Sequence, residues 1–206
     1  MRVALLGSTG RTGRLVAAEL TRRGHQVVAL VRDPARAPTG VVPVVGEADD
    51  PTALARVLEG AGAVVSALGP SGKDPDLHRR TAAVLVPAMT AAGVRRFVGV
   101  SGAGVDAEGD RKRRRDRVIS GLMHVLARAT VEDKEAEMAA FAASDLEWTF
   151  VRPPRLGDGP ATGDVESDPH VSTRSTRMSR ADLAVHLADV LEQGLHVRRA
   201  PFAASR

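Results

Sequence analysis

Six short runs, Arg2–Leu6, Gln26–Val31, Val41–Val45, Ala63–Ala67, Arg95–Val100 and Glu147–Val151, have the length and β-branched content of buried strands. Between and after them lie segments of helical period. Arg11–Arg23 places Leu15, Val16, Ala18 and Leu20 at helical spacing, and Gly24 stops it. Asp50, Pro51 and Thr52 open a second helix to Glu59. Leu77–Ala92 is a third, with Pro87 inside it predicting a bend. Asp116–Ala127 and Val131–Ala143 follow, and Ser179–Glu192 closes the set with Ser179 and Asp182 as a capping box. Strands apolar throughout, alternating with helices, specify an α/β fold: a parallel sheet covered on both faces. Three segments read as irregular, Gly69–Asp76, Gly102–Arg115 and Pro153–Met178. Ligands bind such sheets beyond the C-terminal strand ends, where two of these segments lie.

Straight after the first strand comes G-S-T-G-R-T-G, with Gly7, Gly10 and Gly13 three residues apart. A strand, a glycine turn and a helix start form an anion site, because backbone N–H groups and the helix dipole face the ligand. A glycine turn without a ligand is the plain alternative. The strand before and the helix after satisfy the context of a dinucleotide site, and the fold becomes a Rossmann-type doubly wound sheet. NAD-binding versions usually carry an acid at the end of strand two, for the ribose 2′-OH. Here V-A-L-V-R-D-P places Arg32 first, with Arg36 close behind and Arg11 in the glycine loop. Guanidinium groups fork onto phosphate oxygens, so a 2′-phosphate and NADP(H) are expected. The plain reading of Arg32 is a solvated loop charge. Asp33, one position late, reads as the opening of a turn with Pro34.

At 206 residues and 43% hydrophobic content the chain suits a single domain over residues 1–206. A small substrate-side lobe is expected from about 153 to 178. There are no cysteines, which excludes disulfides and thiolate metal sites and suits a reducing compartment. No run reaches the ~18 apolar residues of a membrane span, and the chain opens directly into a strand pattern, so a cytoplasmic setting is expected. Net charge is +4, but only 2% of residues are aromatic and none is tyrosine, which argues against nucleic acid as a partner.

The chain resembles the atypical short-chain dehydrogenase/reductase family, in its NAD(P)H-binding, biliverdin/flavin-reductase-like branch. The resemblance rests on G-S-T-G-R-T-G with V-R-D-P, V-V-G-E-A-D-D-P, V-V-S-A-L-G-P and A-G-V-R-R-F-V-G-V-S-G. It rests also on D-K-E-A-E, L-E-W-T-F-V-R-P-P-R-L-G-D-G-P and M-S-R-A-D-L-A. It implies that Thr9, Gly10, Arg11 and Thr12 contact phosphates, and that Glu47 and Ala48 lie at the adenine. The family usually has Asp at the position of Glu47. Ala67, Leu68 and Gly69 are implied along the ribose and pyrophosphate path, and Pro153 and Pro154 near the nicotinamide.

Commoner enzymes of that superfamily use Tyr-x-x-x-Lys on the helix after strand five, with a Ser at that strand's end. This chain has Ser101 at the strand end and Lys134 on the helix, but Thr130 stands four residues before the lysine. Val131, Lys134, Met138 and Phe141 share the apolar face, so Lys134 must snorkel or meet a partner. Ser101 and Lys134 are the candidate catalytic residues and also cofactor contacts. Ser101 reads equally as a cap or turn residue. No histidine has metal-ligand spacing with another or with a carboxylate cluster, so no metal is expected. Asp49/Asp50 read as turn residues and Glu135/Glu137 as helix surface. Arg111–Arg117, R-K-R-R-R-D-R, is either a solvated loop and helix start or a patch that attracts an anionic substrate or partner.

These features suggest an NADPH-dependent reductase passing hydride to a conjugated small molecule, of the flavin or quinone class. Two rivals remain: a redox-sensing regulator that binds NADP(H) without turnover, as NmrA-like relatives do, and a sugar-nucleotide epimerase or dehydratase. The missing tyrosine and the short chain weigh against the last. The sequence does not fix oligomeric state.

Overall fold

The computed structural model describes residues 1–69 and 74–206. Six parallel strands form the central sheet: β1 (Arg2–Leu6), β2 (Gln26–Val31), β3 (Val42–Val45), β4 (Ala63–Ser66), β5 (Arg96–Val100) and β6 (Glu147–Val151). Their order is β3-β2-β1-β4-β5-β6, so the chain winds outward from β1 in both directions. Six helices surround the sheet: α1 (Arg11–Arg22), α2 (Pro51–Leu58), α3 (Leu77–Ala91), α4 (Arg114–Leu126), α5 (Arg128–Ala142) and α6 (Arg180–Glu192). This is the Rossmann-like α/β fold expected from the alternation.

The pleat of β1 explains why it reads as unbroken apolar sequence. Val3 and Leu5 pack with Val16, Leu20, Leu183 and Leu187 of α1 and α6. Ala4 and Leu6 pack on the opposite face with Leu54, Val57 and Leu85 of α2 and α3. Both faces are dry, so neither admits polar alternation. α1 and α6 are further joined by charge. Arg23 reaches Glu19, Asp189 and Glu192 at 2.7, 2.7 and 2.6 Å. The Arg22 hydrogen bond, aided by Arg23 and opposed by burial, holds Glu19 down at about 2.

Strand bounds fall within one residue of those expected. Asp50 caps α2 through Thr52 N at 2.8 Å, and Ser179 caps α6 through Asp182 N at 2.9 Å. Asp33 opens a 3-10 turn over Pro34–Arg36, accepting from Ala35 N. α3 runs unbroken through Pro87. α4 starts at Arg114 and α5 at Arg128, earlier than periodicity suggests: the first turn of α4 has no apolar residue, and α5 begins with Arg128, Ala129 and Thr130 ahead of Val131.

One expectation is corrected. Pro153–Met178 is not wholly irregular: it contains β7 (Arg155–Gly157), β8 (Val165–Asp168) and the start of β9 (Arg177–Ser179). A further strand, β10 (Phe202–Ser205), pairs antiparallel with β8. Part of the segment Gly69–Asp76, Pro70–Lys73, lies outside the described residues. Arg152, at the end of β6, is fully buried. It forks onto Asp110 with two contacts of 2.6 Å and donates to the carbonyls of Ala200 and Val105. Its guanidinium lies 3.8 Å from the Phe202 ring centroid, tying the loop after β5 to the C-terminal strand.

His186 on α6 is buried among apolar neighbours. Burial first, and then His196, hold its pKa down at about 4, against Asp189. Unfolded, it titrates near 6.5. The unfolded chain therefore binds the extra proton first. This group's contribution is complete above pH 6.5, declines as pH falls, and levels off below 4 at a loss of about 3 kcal/mol. Urea denaturation across this window should show the decline, and His186→Leu should flatten it.

Candidate functional site

β1 ends at Leu6, and the backbone turns at Gly7, whose φ of 78° is costly for any other residue. A Cβ on Gly7 would stand 2.6 Å from the Ala67 backbone. A Cβ on Gly13 would stand 2.0 Å from the Gly7 carbonyl oxygen, so glycine there lets α1 approach the turn. At Gly10 the nearest atom would be 3.4 Å away. Gly10 is the N-cap of α1, and no side chain caps that helix. Its first N–H groups and its positive dipole end are left for a ligand.

A cleft of about 490 Å³ opens at this point. Gly7, Thr9 and Gly10 form one wall; Arg32 comes from the end of β2, Glu47 and Ala48 from beyond β3, and Ala67, Leu68 and Gly69 from beyond β4. Nine of the residues expected from sequence thus meet in one cleft. It has the parts an elongated dinucleotide needs: a glycine turn and bare helix start for phosphate, and apolar side walls. Gly46, not singled out from sequence, also lines it, and a Cβ there would stand 2.1 Å from that of Ala53. The glycine directly after the third strand was the available signal.

Other expected residues lie around the cleft. Arg11 pairs with Asp158, which also binds Arg180 at 2.8 Å. Thr12 and Gly13 sit in the first turn of α1, behind the cleft surface. Arg36 is exposed at the end of the 3-10 turn, and its carbonyl accepts from Arg14 at 3.1 Å. Arg14 also donates to Thr9 O at 3.2 Å, joining the glycine turn to the loop after β2. Among the described residues Arg32 makes no ion pair, so its exposed guanidinium is free for an anion.

Ser101 follows β5, its N–H bonded to Val151 O at 2.8 Å and its buried Oγ without a partner among the described residues. Lys134 on α5 is buried and donates to Val100 O, the preceding carbonyl, at 3.0 Å. Its ammonium lies 3.5 Å from His78 Nδ1 and 3.7 Å from Glu137 Oε2. Burial lowers its pKa, while Glu137 and Asp133 oppose the shift. Asp133 accepts from the N–H groups of His78 and Arg79 at 2.9 and 2.8 Å, so α5 caps α3. Glu137 therefore corrects the surface reading: it is buried beside His78. Pro153 is buried, and its carbonyl accepts from Ala103 N at 3.0 Å.

A second correction concerns His124. Folding brings it to 3.2 Å from Glu135 and 3.8 Å from Asp106, a carboxylate cluster that chain separation hides. The three have metal-ligating atoms within 4.8 Å of one another. Lys112 already pairs with Asp106 at 2.5 Å, and the Ser120 carbonyl first, then Glu135, raises the His124 pKa. Lys112, Asp106, His124 and Glu135 are thereby linked in one polar cluster.

The chain matches the model of a protein family described as NAD(P)H-binding over residues 7–194, and it belongs to that family. Among solved structures it is similar to a Burkholderia pseudomallei protein provisionally described as exported, with 30% identity, 99% of each chain covered and a TM-score of 0.81. It shares its fold with a Streptococcus pneumoniae protein provisionally named an NADH-flavin reductase, at 23% identity, complete coverage of both chains and a TM-score of 0.83. The same holds for an anaerobilin reductase from Escherichia coli O157:H7, at 21% identity, coverage of 100% and 97%, and a TM-score of 0.79.

The glycine geometry makes an asymmetric prediction. Gly13→Ala forces α1 away from the turn, at a cost of about 1–3 kcal/mol, and should lower the thermal midpoint and weaken nucleotide binding together. Gly10→Ala should leave the midpoint nearly unchanged and affect only binding. Calorimetric melts with nucleotide titrations separate the two.

Proposed function

We propose that this chain is an NADPH-dependent reductase that passes hydride to a small conjugated acceptor of the flavin or quinone class. The observation that carries the reading is the absence of tyrosine from a chain that keeps Ser101 and Lys134. A bound nicotinamide nucleotide would supply hydride. The chain supplies position, a dry wall and charge.

Reducing an isolated ketone builds charge on oxygen, and a positioned acid contributes about 10²–10⁴-fold there. Thr130 is an unactivated alcohol and far too weak an acid, and Ser101 shares that defect. A flavin or quinone spreads the incoming charge over its rings, so solvent can deliver the proton afterwards. Ser101, with a free Oγ, donates or accepts one hydrogen bond to the bound molecules. Lys134 holds the strand end and the ribose side of the nucleotide. The segment from about 153 to 178 walls the acceptor side. The flavin and bilin reductases that share the fold act, by name, on extended conjugated molecules, which supports the acceptor class.

Arg32 is proposed to hold the 2′-phosphate, since its guanidinium lines the cleft at the end of β2. Losing its charge-assisted hydrogen bonds costs about 1.5–3 kcal/mol, so Arg32→Ala should weaken NADPH binding ten-fold or more and leave NADH nearly unchanged. Equal losses for both, measured by fluorescence titration, would remove Arg32 from this role.

Steady-state NADPH consumption tests the reaction. Turnover is expected with free flavins or quinones, and negligible turnover with simple ketones. Robust ketone reduction would overturn the reading. Tight NADPH binding without turnover on any acceptor would favour the sensing regulator.

A further inference from the structure

α4 is the least buried helix relative to its apolar content. Of its thirteen residues only Ser120 is buried. Val118, Ile119, Leu122, Met123, Val125 and Leu126 are all exposed, Val125 at 76% and Leu126 at 74%. They are six of the eleven large hydrophobic side chains left exposed among the described residues. At 3.6 residues per turn they cover a continuous arc of about 160°. A bare aliphatic face of this kind marks an interaction surface.

Its charge says what kind. The basic run Arg111–Arg117 forms the loop and first turn at one end of this face. Three of its members are engaged: Lys112 with Asp106, Arg113 with Ser172, and Arg115 with Asp116 and the Thr173 and Arg174 carbonyls. Arg114 and Arg117 are exposed and make no ion pair among the described residues. The one acid in the run, Asp116, is already bound by Arg115 and Ser172. A cationic start is unfavourable to the helix dipole, so the sequence does not serve the helix's own stability.

We infer that α4 docks this protein on an anionic lipid bilayer. The helix would lie flat at the headgroup level, aliphatic side chains inward and Arg114, at the edge of the apolar arc, against lipid phosphates, while Arg117 lies on the protein side of the helix with Asp106, Asp110 and Ser120. A second copy fits less well, because the same face offers no free acid to neutralise the exposed arginine at its start. An acidic protein partner also fits less well: the face has no aromatic anchor, and protein hot spots are built on tryptophan, tyrosine and arginine, with leucine and valine under-represented. The helix is thirteen residues long, and no helix among the described residues is long and apolar enough to cross a membrane. The contact is therefore peripheral.

The test is co-sedimentation of the full chain with phosphatidylcholine vesicles, with and without phosphatidylglycerol. Binding is expected only with the anionic lipid, weakening as salt rises. Arg114→Gln should weaken it by about five-fold, and Arg117→Gln, on the protein side of the helix, should change it little. Ile119→Ser, Leu122→Ser and Leu126→Ser together should abolish it while leaving the thermal midpoint in place. Leu122→Trp, in a chain that otherwise keeps all its residues, should show a blue-shifted emission change with anionic vesicles alone. Binding to neither vesicle, or to both alike, overturns the inference. So does a dimer without vesicles that the serine substitutions convert to monomer, which would give the face to a second copy.

Discussion

Everything at the binding end of this molecule depends on how closely α1 approaches the turn that precedes it. The Gly7 carbonyl occupies the space where a Gly13 side chain would begin. That contact sets the angle at which α1 leaves the sheet. With no side chain capping it, the helix presents its N–H groups toward the cleft. The same approach seats Val16 and Leu20 against Val3 and Leu5, so the ligand cradle and half of the core share one constraint. Gly10 is less crowded by contrast, a Cβ there having its nearest neighbour at 3.4 Å.

On the other side of the sheet, polar groups organise the active end. α5 sends Asp133 to cap α3 and Lys134 to the carbonyl beside Ser101. Glu137 and His78 complete a buried cluster around the lysine. Charge buried in this way is costly unless its members hold each other in place. Arg152 does the same one strand further out, locking the loop after β5 against the last strand. The loop after β5 and the start of α3 are thereby held by side chains of the neighbouring elements.

The central sheet was legible because its inner strands are buried on both faces, so apolar runs and helical stripes alternate cleanly, and because the exposed edge strand β3 is itself an apolar run. The glycine turn was legible because its backbone admits few other residues. β8 and β10 were not, since they pair at the periphery between Asp, Gly and Arg residues that resemble loop sequence. Of the cleft residues, Arg32 was legible from its place at a strand end, and Glu47, Ala48 and Ala67, Leu68 and Gly69 only through the family resemblance. Glu137 and the meeting of Asp106, His124 and Glu135 were not. A charged residue's burial depends on which helix lies opposite, and no spacing records that. Arg14 was hidden for the same reason: its role is to bridge two loops that are neighbours only in space.

The central claim is that hydride transfer proceeds here without a protein acid moving a proton in the same step. Single-turnover kinetics with nucleotide deuterated at the transferred position, in light and heavy water, test it most directly. With a flavin or quinone acceptor the account predicts a primary isotope effect on the hydride step and a solvent isotope effect near unity. A substantial solvent effect on that same step would place a protein-bound proton in the transition state and contradict the account.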